Sequence, residues 1–325
     1  MLPWYGILLL IAQYGSCFLI FERTLKLVQR TVPKVSLLVT EAFLFLSLFS
    51  YALVNLQYSM TCAFLMGAAL FLFVTTEVRL SVGEFLKHNI GTILLLVLAF
   101  CLRTEMFLLL SPFLAFAGFA YWLHRDKVDK RTFWEKDNLC RYGGFLAITA
   151  LSLLLVWGMD WIAYSGNPWR EFRQLFDART QLYDFYGIPE YEGNAEFYAG
   201  IGLDASEQEL LENYNYLLSP DVDAEVMNRI VAYDKQQLKI GYFKVPLKQA
   251  VTNYVYWGGG HRGGSIVLFL GICYLLIAAL GILDKQWGFL WKLPLLYGIR
   301  SVLWMYLILR GRYPDRITWG LLFVE

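Results

Sequence analysis

The stretch IGTILLLVLAFCLRTEMFLLLSPFLAFAGFAYWL, residues 90–123, decides the fold class, and Arg103 and Glu105 are the only charges in it. A membrane-insertion scale sets about +2.5 to +3.5 kcal/mol against such a side chain at the centre of a spanning helix. Charges at that depth are rare, face a protein interior or a water-filled cavity, and are functional candidates by default. The first arm, residues 90–102, is about 20 Å of helix against a hydrocarbon core of about 30 Å. The chain is therefore expected to reverse at Arg103–Glu105 and hold both charges below the membrane surface, at the floor of a wet cavity. On one continuous helix, side chains two positions apart would point away from each other; a break lets both face the same space.

Working outward, the 325 residues are 58% hydrophobic and only 17% charged. A soluble domain could not hide that much apolar surface, so the expected class is an all-α polytopic membrane helix bundle. Apolar runs near 2–21, 35–53, 57–76, 90–102 paired with 106–123, 142–162, 265–283 and 288–309 give about seven to eight spans with one broken pair. Domains are expected at 1–162 (membrane), 163–264 (extracytoplasmic, helical) and 265–325 (membrane). Loops 22–34 and 124–141 carry Arg23, Lys26, Arg30, Lys34 and Arg125, Lys127, Lys130, Arg131, Lys136, Arg141, which marks them as cytoplasmic. Alternation then places Asn55–Tyr58, Arg103–Glu105 and 163–264 outside. The first residues lack the positively charged region of a secretory signal peptide and are expected to start almost directly inside an apolar helix. Both ends of the chain read as cut helices, Ile317–Val324 being too short to cross a bilayer.

Segment 163–264 holds 14 acidic and 9 basic residues, a net charge of −5. Asn167-Pro168 reads as a helix start. The run Trp169, Phe172, Phe176, Leu182, Tyr183, Tyr186 suits a helix lying on the membrane surface. Ser206–Glu209 reads as a capping box, Ser219-Pro220 as the opening of a helix carrying Met227, Ile230 and Val231, and Gly258–Gly264 as a flexible linker. The five cysteines lie in or beside apolar stretches, as small apolar residues, with no disulfide framework and no metal-type spacing. No nucleophile motif, zinc signature, dinucleotide fingerprint or phosphate loop is present. No cofactor is expected, a divalent cation has no ligand set in the sequence, and nothing points to nucleic acid.

Arg300 is the other embedded charge, expected to serve function or to pair with Glu105 or Glu41. Glu41 and Lys292 lie near helix ends and can snorkel. Arg310, Arg312 and Arg316 fall outside by the deduced topology, against the positive-inside trend, and suit a phosphate through bidentate hydrogen bonds. His261 and Arg262 could form an anion nest, with linker the plainer reading. Asp177, Asp184 and Asp204 could act as bases, with solvated surface the plainer reading.

Leu102-Arg103-Thr104-Glu105 between two apolar helices resembles the Leu-Arg-Pro-Glu break of GT-C-type glycosyltransferases. A poorly characterised bacterial subgroup of them resembles more of the chain. Trp4-Tyr5-Gly6, Asn55-Leu56-Gln57-Tyr58, Arg179 to Tyr183-Asp184, and Gly311-Arg312-Tyr313-Pro314 carry that likeness. The resemblance implies a bacterial inner-membrane protein of cell-surface glycan assembly, with a lipid bilayer, a polyprenyl-phosphate-linked sugar and a glycan acceptor as partners. Arg103, Glu105, Arg312, Arg310, Arg179 and Tyr183 are then the substrate-binding candidates. One departure stands out: the family's acidic first external loop, which supplies the base or metal ligand, has no counterpart. The chain begins at what resembles the second helix, so it is expected to be inactive alone or completed by another polypeptide. The alternatives are a transporter or flippase of lipid-linked or anionic substrates, favoured by charged broken helices, and a non-catalytic membrane protein.

Overall fold

The computed structural model describes residues 4–29, 31–77, 80–129, 134–237, 243–256, 264–285 and 287–325. Every regular element among them is helical. In chain order these are α1 Trp4–Val28, α2 Lys34–Leu44, α3 Ser50–Val54, α4 Tyr58–Val74, α5 Val82–His88, α6 Ile90–Leu102, α7 Thr104–Asp129, α8 Lys136–Ala163, α9 Asn167–Thr180, α10 Tyr191–Gly200, α11 Ala205–Glu212, α12 Ala224–Gln237, α13 Leu247–Tyr256, α14 Gly264–Leu283, α15 Trp287–Leu290, α16 Lys292–Leu309 and α17 Asp315–Val324. Two π-helical turns, Phe45–Phe49 and Gln181–Phe185, bridge α2 to α3 and follow α9.

The chain divides into two compact units: residues 1–156, 247–308 and 313–325, and residues 157–246 with 309–312.

Among the described residues six helices are long and apolar enough to cross a membrane, or seven if the pair α5–α6, bent by 44°, counts as one. The protein is an integral membrane protein. One expected span changes character: residues 57–76 form the 17-residue α4, a shorter apolar helix. The expected span at 288–309 is α16, Lys292–Leu309, preceded by the short α15. α4 is the centre of the first unit, packing on α1, α6, α7 and α17. Its small residues Cys62, Ala63, Gly67, Ala68 and Ala69 let other helices approach closely. A Cβ added to Gly67 would lie 2.6 Å from the Phe323 ring, so α17 is seated hard against it.

Side-chain contacts fix the directions. Gln13 of α1 bonds Thr61 and Arg23 bonds Thr75, so α1 runs parallel to α4. Arg103 at the end of α6 bonds Ser59, while Phe85 just before α6 packs on Phe73, so α6 is antiparallel to α4. Tyr121 of α7 reaches the Thr76 carbonyl, so α7 returns alongside. The residue pair Trp122–Tyr142, rings stacked at 4.8 Å, brings the start of α8 to the same end. Arg23 and Arg141 thus lie at the Thr76 end, and the Arg103 break lies at the other. Outward-facing Leu151, Leu154 and Leu155 of α8 and Leu268, Leu275 and Leu276 of α14 present the apolar exterior that a bilayer covers.

The second unit closes over Ala178, Leu182, Tyr198, Leu203, Leu211, Val222, Met227 and Ile230. Its helix starts correct two expectations. The capping box is Asp204 with Glu207, two residues before the expected Ser206, since Asp caps as well as Ser and has Glu at the third position. Ser219 opens no helix. Its hydroxyl donates to Glu207 at 2.8 Å, and α12 starts behind Asp223, whose carboxylate accepts from the Val226 N–H. Trp169, Phe172 and Phe176 project from α9 as an exposed aromatic row.

Candidate functional site

α6 stops because Arg103 leaves the helical region, at φ −161° and ψ 98°. The hydrogen-bond ladder nearly spans the break: the Arg103 N–H donates to Ala99 O, and the Phe107 N–H to Arg103 O. One extended residue therefore turns the chain and makes α6–α7 a helical hairpin with Arg103–Thr104 at its tip. The Arg103 side chain is only 16% exposed. It donates to the Ser59 hydroxyl and lies 4.9 Å over the Tyr58 ring, both in the first turn of α4. The Cys62 thiol donates to the Arg103 carbonyl at 3.8 Å. Glu105 lies 3.8 Å from the guanidinium, with its own side chain 84% exposed. A mostly covered cation with one hydroxyl neighbour, beside an open carboxylate, can hold an anion and take a hydrogen bond from a hydroxyl.

Arg300 differs from expectation. It pairs with Glu325 at 3.1 Å, and not with Glu105 or Glu41, because α17 turns back into the bundle and carries Glu325 to the middle of α16. The side chains are 11% and 0% exposed, and Tyr274 donates to the other Glu325 oxygen at 2.5 Å. Glu41 is buried in α2 rather than snorkelling, with its Oε1 unbonded.

In the second unit Arg312 pairs with Asp184 at 2.8 Å, and the guanidinium carbons of Arg310 and Arg312 each lie 5.0 Å from the Phe185 ring centre. Gly311 between them sits at φ +70°, a conformation only glycine adopts freely. Lys244, which no sequence pattern singles out, joins them. The N–H groups of Lys244 and Val245 both donate to the Leu309 carbonyl, and the ammonium lies 4.9 Å over Tyr186. Burial lowers the Lys244 pKa; Asp234 opposes this, and Arg310 and Arg312 add to it.

The other candidates lie apart from that cluster. The Tyr183 hydroxyl donates to Leu211 O at 2.5 Å, and its ring stacks on Tyr214. Burial, with Tyr216 and Tyr214, pushes its pKa up to about 12. Arg179 lies 4.9 Å over Phe176 with a buried Nε that has no hydrogen-bond partner. Arg316 falls in the first unit, and Arg310 and Arg312 in the second. His261, Arg262 and their glycine run lie outside the described residues. Asp204 is a helix cap. No group of three His, Cys, Asp or Glu that could hold a metal occurs among the described residues.

No family model, curated protein or solved structure matches the chain. The two charge sites therefore stand on their own geometry.

Proposed function

We propose that the chain is a GT-C-like protein of a bacterial inner membrane, with 163–264 outside, acting on a polyprenyl-phosphate-linked sugar in cell-surface glycan assembly. The observation that supports this is the hairpin tip. Arg103 is turned out of its helix onto Tyr58 and Ser59, so the break and the Asn55–Tyr58 turn meet although 44 residues separate Arg103 from Ser59. In this reading an acceptor hydroxyl attacks the sugar's anomeric carbon with general-base help, and the lipid phosphate departs toward Arg103. Glu105 orients a hydroxyl. No residue is assigned as the base.

The test is native mass spectrometry of polyprenyl phosphate bound to the protein in nanodiscs. Arg103→Ala should lose the bound lipid while still inserting in membranes. Wild-type-like occupancy in that variant would defeat the proposal. A second reading, transport or flipping of such a lipid, draws on the discontinuities at Asn89 and Arg103. Lipid translocation in reconstituted vesicles without sugar transfer would select it.

A further inference from the structure

We infer that α9 lies in the headgroup zone of the bilayer that α8 crosses, with Trp169, Phe172 and Phe176 pressed into lipid. The occupant of this aromatic row is the membrane surface itself. The inference is independent of sugar transfer and of which leaflet is involved.

α9 has two apolar faces. Leu175 and Ala178 pack into the core of the second unit, as does Leu182 just beyond the helix. Trp169, Phe172 and Phe176 are instead 48%, 55% and 47% exposed. At 3.6 residues per turn these three fall within about 60° of arc, with Arg173 to one side of the row and Arg179 to the other. Arg179 lies 4.9 Å over Phe176. Aromatic rings bordered by arginine are the composition of a helix in a membrane interface.

The depth follows from α8. Residues 142–161 hold one charge, Asp160, and this length of helix measures about 30 Å, the thickness of the hydrocarbon core. Asp160 therefore stands at the boundary, beside the exposed Trp157 and Trp161, which lie one turn apart as an aromatic belt. Arg173 pairs with Asp160 at 2.8 Å and lies 4.8 Å over Tyr164, and Tyr164 meets Trp169 edge-on at 4.8 Å. A straight continuation of α8 would carry Arg173 about 20 Å beyond Asp160. The chain turns between the two helices instead, and the ion pair keeps the first two turns of α9 near the level of Asp160. Both partners are about half exposed, so the pair adds little stability; its part is to set depth. The headgroup zone extends about 5 to 7 Å beyond the core, and an interfacial helix buries its apolar face about 5 to 10 Å into that boundary. A helix tied to Asp160 falls in that range, and lipid is already the neighbour of Trp157 and Trp161.

The test reconstitutes the full chain at one copy per phosphatidylcholine nanodisc, part of the lipid carrying a diazirine near the glycerol end of an acyl chain. Photolabelled residues are mapped by mass spectrometry, and hydroxyl-radical oxidation is read on the same discs. Lipid adducts are expected on Trp169, Phe172 and Phe176. These rings should oxidise at least tenfold more slowly than Tyr214, an exposed ring of the same unit. Trp169→Ser, Phe172→Ser and Phe176→Ser together should cut the α9 adducts at least fivefold and spare those on Trp157 and Trp161. Free oxidation of the row in the wild type overturns the inference. Protection without lipid adducts also overturns it, assigning the face to a protein, as do adducts that form only when phosphatidylglycerol is added, which would assign the hold to arginine charge. The wild-type readings decide alone, so a variant that fails to fold leaves the test intact. Arg103 takes no part, so failure here is distinct from failure of the polyprenyl-phosphate test.

Discussion

Arg300–Glu325 and Arg312–Asp184 are both arginine–carboxylate pairs near 3 Å, yet they do opposite things. The first is enclosed by α14, α16 and α17; Tyr274 hydrogen-bonds one carboxylate oxygen, and the other forms an ion pair with Arg300 without a hydrogen bond of its own. It is closed, and its charges balance. The second carries two more cations, Lys244 and Arg310, and shares its aromatic floor among them. Burial alone does not mark a functional charge.

The largest expected effect tests the closed side. Arg300→Met leaves Glu325 buried without its cation, which costs about 3 to 5 kcal/mol, while replacing both partners by apolar residues is often neutral. The thermal midpoint of the purified protein should fall sharply in Arg300→Met and recover in Arg300→Met with Glu325→Met. Equal loss in the single and double variants would mean the pair does not seat α17.

Next in size is the packing that brings Glu325 to Arg300. A Cβ at Gly67 would lie 2.6 Å from the Phe323 ring, inside any real contact. Gly67→Val should therefore cost about 1 to 3 kcal/mol by overpacking, read as a lower thermal midpoint. Gly67→Val with Phe323→Leu should regain part of it.

What the sequence disclosed follows the same division. The break at Arg103 was legible because a charge in an apolar run is a local signal, and one extended residue suffices to make it. The burial of α17 was not. Ile317–Val324 is too short to span, so length argued against it, and only the small faces of Gly67 and Gly320 give it a place. Glu325 as the partner of Arg300 follows from that seating and from nothing near Arg300 in sequence. Arg310 and Arg312 were visible as a basic cluster, whereas Lys244 stands in an ordinary stretch and gains meaning from the bonds that its own N–H and that of Val245 make to Leu309 O. The cap at Asp204 was missed because Ser206 offered an equally good pattern two residues later.

On the open side, Tyr183 anchors the π-helical turn that carries Asp184 and Phe185. Tyr183→Phe leaves the Leu211 carbonyl without its donor and should cost about 1 kcal/mol. Its pH dependence has a definite sign. The folded pKa of about 12 is above the ordinary 10.0, so its contribution is full below pH 10 and is lost as pH rises through 12. Tyr183→Phe should flatten that alkaline loss in equilibrium unfolding.

The smallest effect separates the two kinds of site most cleanly. Lys244 has a folded pKa below 10.5, through burial and the neighbouring arginines. Below the folded value the lysine is charged in both states, and its unfavourable surroundings reduce stability. Between the folded value and 10.5 the unfolded chain binds more protons, so stability rises with pH, opposite in sign to Tyr183. Lys244→Met should therefore slightly stabilise the protein at neutral pH and remove the rise. A destabilised Lys244→Met would mean the ammonium is already neutralised by its own fold, and the open site would be closed after all.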